Sequence, residues 1–259
     1  MASDPSASGA SEARRARILE LVRSHDFVRV GDLGEMLGVS SVTVRGDLDV
    51  LAARGELRRI RGGAVSQEPR RAPAVGDERE LAAIARTAAA LVNDEECVFV
   101  GGGMFAPALA QAIGERRGLS GVAIVTNDLG VATALRPTIP RLTVMVTGGT
   151  LARLHASLVD PLGDLMFGHL HAHTALVGGE GVEARAGVTA PDLAEAAVTR
   201  RMLEAAERRV VLAAGARVGT VQMAPVCAID EVDVLITGET AEPGALDALR
   251  ARGVEVTLA

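Results

Sequence analysis

The sequence contains no lysine, no tryptophan and no tyrosine; its aromatic residues are four phenylalanines, and it has two cysteines in 259 residues. Each shortage removes a class of reading. Cys97 and Cys227 lie far apart, with no Cys-x-x-Cys pair and no zinc-ligand spacing, so reduced thiols in a cytoplasmic protein are expected rather than a disulfide framework. No apolar run approaches the roughly 20 residues of a membrane-spanning helix, so no membrane partner is expected. The first 13 residues, MASDPSASGASEA, are small and polar, lack the apolar core of a secretory signal, and read as a disordered leader. All 27 basic charges fall on arginine, which we read as a coding bias rather than a functional device. No internal repeat stands out.

The net charge of −6 is unevenly spread. Residues 1–72 hold 12 arginines against 10 acids, whereas the remainder holds 15 against 23. A weakly basic head on an acidic body is the asymmetry expected of a chain whose front end meets nucleic acid. The length suits one small and one medium domain.

The small domain is read at residues 14–65. Ile18, Leu19 and Val22 recur at helical spacing, and Phe27 to Val30 form a short β-like run. A second helix, Gly31 to Leu37, buries Leu33 and Leu37. Gly38-Val39-Ser40 supplies a tight turn, with Ser40 as N-cap of a third helix in which Val44, Leu48 and Leu51 form one buried stripe. Its other faces carry Ser41, Thr43, Arg45 and Asp49. Hydroxyls and an arginine near a helix N-terminus are what reading the major groove of double-stranded DNA requires, so Ser40, Ser41, Thr43 and Arg45 are candidate DNA contacts. Leu57-Arg58-Arg59-Ile60-Arg61 then alternates and is basic, followed by Gly62-Gly63. Arg58, Arg59 and Arg61 are the expected phosphate contacts of a β-wing. A winged helix used only for protein contacts is the alternative, and it leaves the basic wing without a purpose.

Residues 66–77, SQEPRRAPAVGD, read as a linker, and residues 78–259 as the larger domain. There, helices at Glu78 to Leu91, Pro107 to Glu115 and Asp192 to Arg208 alternate with short apolar strands. The strands are Cys97 to Val100, Val122 to Val125, Leu142 to Val146, Thr174 to Val177, Val210 to Ala213, Val232 to Ile236 and Val254 to Leu258. Continuous apolar strands between helices predict an α/β fold with a parallel sheet covered on both faces. Ligands of such sheets bind beyond the carboxyl ends of the strands. Four strands run into Gly101-Gly102-Gly103, Thr126-Asn127-Asp128, Thr147-Gly148-Gly149 and Gly178-Gly179-Glu180. Glycine permits close backbone approach, and free amides beside helix starts favour anions, so a phosphate-bearing small molecule is the natural ligand class.

The LGVS turn, the T-V-R…D-L helix and the closing R-GGA make the head similar to that of the DeoR family of bacterial transcription regulators. The larger domain resembles the DeoR effector domain in its VTND turn, the TGG at 147–149, Gly163, the VGGEGV…GVT segment and the helix with Glu195 and Arg200. The resemblance implies a fold shared with ribose-5-phosphate isomerase, a sensor of a phosphorylated sugar or related metabolite, and a pocket at Gly101, Gly102, Gly103, Thr126, Asn127, Gly148 and Gly149. It implies a repressor. One head buries too little surface for tight specific binding, so a homo-oligomer on repeated half-sites is expected, and no cofactor, metal or catalytic residue is expected.

Departures from the family pattern are visible. Relatives carry two adjacent basic residues where this chain has Arg45-Gly46. The acid and two hydroxyls after the first sensor strand are replaced by Gly101, Met104 and Phe105. An Asp-x-x-Lys becomes Ala214-Gly215-Ala216-Arg217, and a Thr-Asp becomes Thr237-Gly238. Unpartnered ligand groups would cost about 1–3 kcal/mol each, which predicts an atypical effector or lost sensing, with Glu180, Glu239 and Arg217 as candidate substitutes. A sugar-phosphate isomerase-like enzyme with a fused head, and a DNA-binding protein without a ligand, are the rival readings. His169, His171 and His173 would share one face of an extended segment and raise a zinc or nickel site as an alternative. GGGMFA fits a loose dinucleotide fingerprint, and no Gly-x-Ser-x-Gly elbow exists.

Overall fold

The computed structural model describes residues 5–24, 28–60, 62–66, 77–152, 156–159 and 165–259. The chain divides into two compact units, Met1–Pro73 and Ala74–Ala259. Residues 67–76, nearly all of the expected linker, lie outside the described residues, as do Phe27, Arg61, His155 and Gly163.

The first unit contains α1 (Pro5–Ser24), β1 (Val28–Arg29), α2 (Val30–Leu37), α3 (Ser41–Ala53), β2 (Leu57–Ile60) and β3 (Gly63–Ser66), the strands forming an antiparallel sheet in the order β1-β3-β2. Ile18 and Val22 of α1, Leu33 of α2, Val44, Leu48 and Leu51 of α3, and Leu57 and Ala64 of the hairpin make its core. Gly38 ends α2 at φ +64°, a left-handed conformation that glycine adopts without a Cβ penalty, and Val39 N–H closes the turn on the Gly34 carbonyl at 3.0 Å. Residues 5–13, expected as a disordered leader, are helical here. Proline is favoured in a first turn, where its missing N–H is not needed. Farther along, Glu12 is tied to Arg54 at the end of α3 (2.7 Å), a contact that local sequence does not announce.

Gly46 sits exposed in the middle of α3, with nothing within 4 Å of where a Cβ would stand. Gly46→Ala is therefore expected to stabilise the head by about 1 kcal/mol. A higher urea midpoint for the head transition checks this; a lower one would reveal a steric demand at that position.

The second unit runs through α4 (Glu78–Ala90), β4 (Cys97–Val100), α5 (Ala106–Glu115), β5 (Ala123–Thr126), α6 (Leu129–Leu135), β6 (Thr143–Val146), β7 (Thr150–Leu151) and β8 (Leu158–Val159). It continues with β9 (Ala172–Gly178), β10 (Gly181–Glu183), β11 (Gly187–Ala190), α7 (Leu193–Glu204), β12 (Ala206–Ala213), β13 (Ala224–Cys227), β14 (Val234–Thr237), α8 (Pro243–Arg250) and β15 (Glu255–Leu258). Seven strands form one parallel sheet in the order β15-β14-β12-β9-β4-β5-β6. Successive strand residues point to opposite faces. Val98, Val100, Leu176, Val210 and Leu212 pack with Ile84, Leu109 and Ile113 of α4 and α5, whereas Phe99, Ala175, Val177 and Val211 pack with Val198, Met202 and Leu203 of α7. Burial on both faces is why these strands read as unbroken apolar runs.

The helix expected to reach Arg208 stops at Glu204, because Ala206 and Arg208 instead pair with Ala172 and Thr174 of β9. A small antiparallel sheet, β10-β11-β13, and the hairpin β7-β8 were not visible as apolar periodicity. The strand order grows one way from β4 through β5 and β6, and the other way from β9. The β4–β9 boundary is thus a topological switch point, where open α/β sheets leave a crevice.

Candidate nucleic-acid interface and effector cleft

On α3, Ser40 accepts the Thr43 N–H (3.2 Å), fixing the first turn. The Ser40 and Thr43 hydroxyls also bond each other at 2.9 Å, so Thr43 is part of the cap. The exposed positions of the first two turns are Ser41, Val42, Arg45 and Gly46. Arg58 on β2 is exposed, while Arg59 is half-buried and paired with Asp49 of α3. Both partners of that pair meet solvent, so it is weak and salt-screened, and phosphate can replace it.

No local motif marks Asp47 in the sequence. Its carboxylate, only 4% exposed, accepts Arg14 Nε at 2.6 Å and Arg15 Nε at 2.9 Å. A buried anion on the inner side of α3 is thereby clamped by two guanidinium groups of α1, which sets the angle at which α3 presents its outer face.

In the second unit, a narrow cleft, open to solvent, lies at the β4–β9 switch point. Its walls are Gly102, Gly103 and Met104 after β4, Asn127 after β5, Gly178 and Glu180 after β9, Ser157, Ala190, and Glu195, Val198 and Thr199 of α7. Of the expected pocket residues, Gly102, Gly103, Asn127 and Glu180 meet there. Gly101 donates its N–H to Leu176 O and stands behind the loop, and Thr126 is fully buried beneath it. Gly148 and Gly149 lie outside the cleft; a Cβ on Gly149 would stand 2.5 Å from Val159 O, so that glycine admits β8. Arg217 is behind the wall, 3.4 Å from the Glu180 carboxylate, and Glu239 is exposed on the surface.

Asn127 is a clamp. Its Oδ1 accepts Gly102 N–H (2.9 Å) and its Nδ2 donates to Leu158 O (3.0 Å), joining the glycine loop to β8. A Cβ on Gly102 would fall 2.6 Å from the Ser157 Cβ, which explains glycine at that position. Ser157 and Thr199, which carry hydroxyls, and Glu180 and Glu195, which carry carboxylates, line a site whose glycine loop has neither; the Thr199 hydroxyl donates to Glu195 O at 2.8 Å. Ser157 and Thr199 were missed because no local motif marks them; both arrive by tertiary packing.

Where the family pattern has an acid, at Gly238, there is no room for a side chain. The Glu80 carboxylate of α4 fills that space, accepting Gly215 N–H (3.0 Å) and the Thr240 hydroxyl (2.9 Å). His173 Nδ1 accepts the Cys97 N–H at 3.0 Å. Burial pushes the Cys227 thiol up to about 12, with the nearby Glu231 adding to it. Among the described residues, no cluster of His, Cys, Asp or Glu is placed to hold a metal ion, and no helix is long and apolar enough to cross a membrane.

Residues 14–70 match the DeoR-like helix-turn-helix domain and residues 77–239 match the DeoR C terminal sensor domain. The HTH-type transcriptional regulator UlaR of Shigella sonnei (strain Ss046) is 31% identical over 255 residues, 95% of this chain and 98% of that one. A protein of Escherichia coli O157:H7 named as an aga operon transcriptional repressor is 30% identical over 258 residues, 96% of this chain and 94% of that one. Among solved structures, ribose 5-phosphate isomerase A of Methanocaldococcus jannaschii aligns with a TM-score of 0.37 at 14% identity, over 53% of this chain and 52% of that one. The winged head, the parallel α/β body and these full-length matches agree: the chain belongs to the DeoR family of DNA-binding transcription regulators.

Proposed function

We propose that the protein is a repressor that lays α3 in the major groove, holds the flanking phosphates with its β2–β3 wing, and is released or retained by a small metabolite in the β4–β9 cleft. The observation that carries the reading is the face of α3 itself. Its apolar stripe is buried in the head, while Ser41 and Arg45 stand exposed on a turn rigidified by the Ser40 cap. One head covers too little DNA for tight specific binding, so the reading includes a homo-oligomer on repeated half-sites.

The effector is a polyhydroxylated, phosphorylated or otherwise sugar-like compound, since the cleft offers hydroxyls, carboxylates and backbone around a glycine loop. An isomerase needs a general base beside its anion. Glycine stands at 101 and 238, alanine at 214 and arginine at 217, and the Glu180 carboxylate is paired with Arg217, so the cleft binds rather than catalyses.

Arg45→Ala is expected to weaken binding to a preferred duplex by about tenfold or more while leaving random duplex nearly unchanged. Arg59→Ala is expected to weaken both alike and to lower the salt slope by about one ion. Mobility shifts at two salt concentrations separate the two patterns. Wild-type binding by both variants would remove α3 and the wing from the interface.

A further inference from the structure

Among the described residues of the head, the large apolar side chains left exposed are Met36 and Val42, and Val42 is 72% exposed. A β-branched residue is a poor choice for a solvated helix surface, where it lowers helix propensity and contributes no packing. Its neighbours make the choice more specific. Val42 and Gly46 are four residues apart and share one face, with Arg45 beside them. Gly46 adds no side chain, and no atom of the head lies within 4 Å of where one would begin. Thr43, the other nearby side chain, is turned into the Ser40 cap. The outward chemistry of the first two turns is therefore a hydroxyl, a branched apolar group, a guanidinium and a stretch of bare backbone.

Of the four bases, only thymine presents an apolar group on the major-groove edge, its 5-methyl. We propose that Val42 is a specificity-determining residue that packs against a thymine methyl in each half-site, and that Gly46 lets the helix approach closely enough for that contact. The inference rests on α3 being the groove-reading helix. Val42 and Arg45 are three residues apart, about 4.5 Å along the axis, so the thymine lies roughly one base pair from the base or phosphate met by Arg45. Where relatives carry a second basic residue, this chain reads shape and a methyl group instead.

The test uses the full-length protein and a duplex selected by it from a randomised pool. Each thymine of that duplex is replaced in turn by deoxyuridine, which removes only the methyl. At one thymine per half-site the wild type is expected to bind about fourfold more weakly, the value for losing one buried methyl. Val42→Ala, on an exposed position where alanine is the better helix former, is expected to bind the thymine and deoxyuridine duplexes equally. A selected site without such a thymine, no sensitive thymine for the wild type, or a Val42→Ala protein that keeps the penalty overturns the proposal. Arg45→Ala in the same assay distinguishes the two failures. If it loses selectivity while deoxyuridine has no effect, only the Val42 contact is wrong; if it too behaves as wild type, α3 is not the reading helix.

Discussion

Asp47→Ala is expected to destabilise the head by about 2–3 kcal/mol and to remove operator binding at protein concentrations where the wild type is saturated. The carboxylate is buried and receives two charge-assisted hydrogen bonds, from Arg14 and Arg15. Removing one side of a buried ionic cluster costs about 3–5 kcal/mol when the abandoned charges stay buried. Here the two arginine side chains are 22% and 20% exposed, so water recovers part of the loss and the lower figure applies. A head of this size holds only a few kcal/mol of net stability. The consequence is a large unfolded fraction, or a head in which α1 and α3 no longer keep their angle. Urea unfolding of the full chain by circular dichroism should show an earlier head transition with the sensor transition unmoved. An unshifted head transition would mean that Asp47 contributes nothing to the packing of α1 on α3.

Gly187→Ala should lower sensor stability by about 3 kcal/mol. Gly187 closes the turn from β10 to β11 at φ +77°, a conformation that costs a residue with a Cβ about 1–2 kcal/mol. An added methyl would also overlap the Cys227 carbonyl oxygen and stand 3.1 Å from the Ala228 Cα. Those are backbone atoms at the end of β13, so no side-chain rotation relieves the clash, and forcing the strand aside costs about 1–3 kcal/mol more. For a domain of this length the sum corresponds to a fall of roughly 6–12 °C in melting temperature. A second readout is local. Wild-type Cys227 is buried, with its thiol raised to about 12, and should react slowly with a thiol reagent near neutrality. In the variant β13 is displaced and the reaction should accelerate. Wild-type melting together with wild-type thiol protection would contradict the strand geometry.

The particular residues show why some of this was legible in the sequence. Val98 to Val100, Leu176 and Val177, and Val210 to Leu212 are apolar without interruption, because α4 and α5 cover one face of the sheet and α7 the other. That pattern survives any detail of packing. The stripe Val44, Leu48 and Leu51 was equally plain, since 3.6-residue periodicity is a property of the helix alone. Val42 is less plain, although the same periodicity places it about 200° from Val44, on the outer face; an apolar residue next to an apolar stripe is easily absorbed into it. The segment 206–208 looked like a continuation of α7, and only pairing with β9 makes it strand. Residues 5–13 look structureless from their small polar composition, and Glu12 finds its partner Arg54 more than 40 positions away.

What the sequence by itself determined is the kind of molecule: a helical head with a basic hairpin, joined to a sheet buried on both faces with glycine loops at its strand ends. Those features follow from local periodicity, turn chemistry and charge, which act over a few residues. Tertiary structure alone decided which groups meet. It buried Asp47 between two arginines, withdrew Thr43 into the cap, and set Val42 beside the bare backbone of Gly46. In the sensor it put Glu80 in the space of the absent acid at 238, and gathered Ser157, Thr199 and Glu195 around the glycine loop. Such encounters depend on strand order, and on helices that no short window of residues contains.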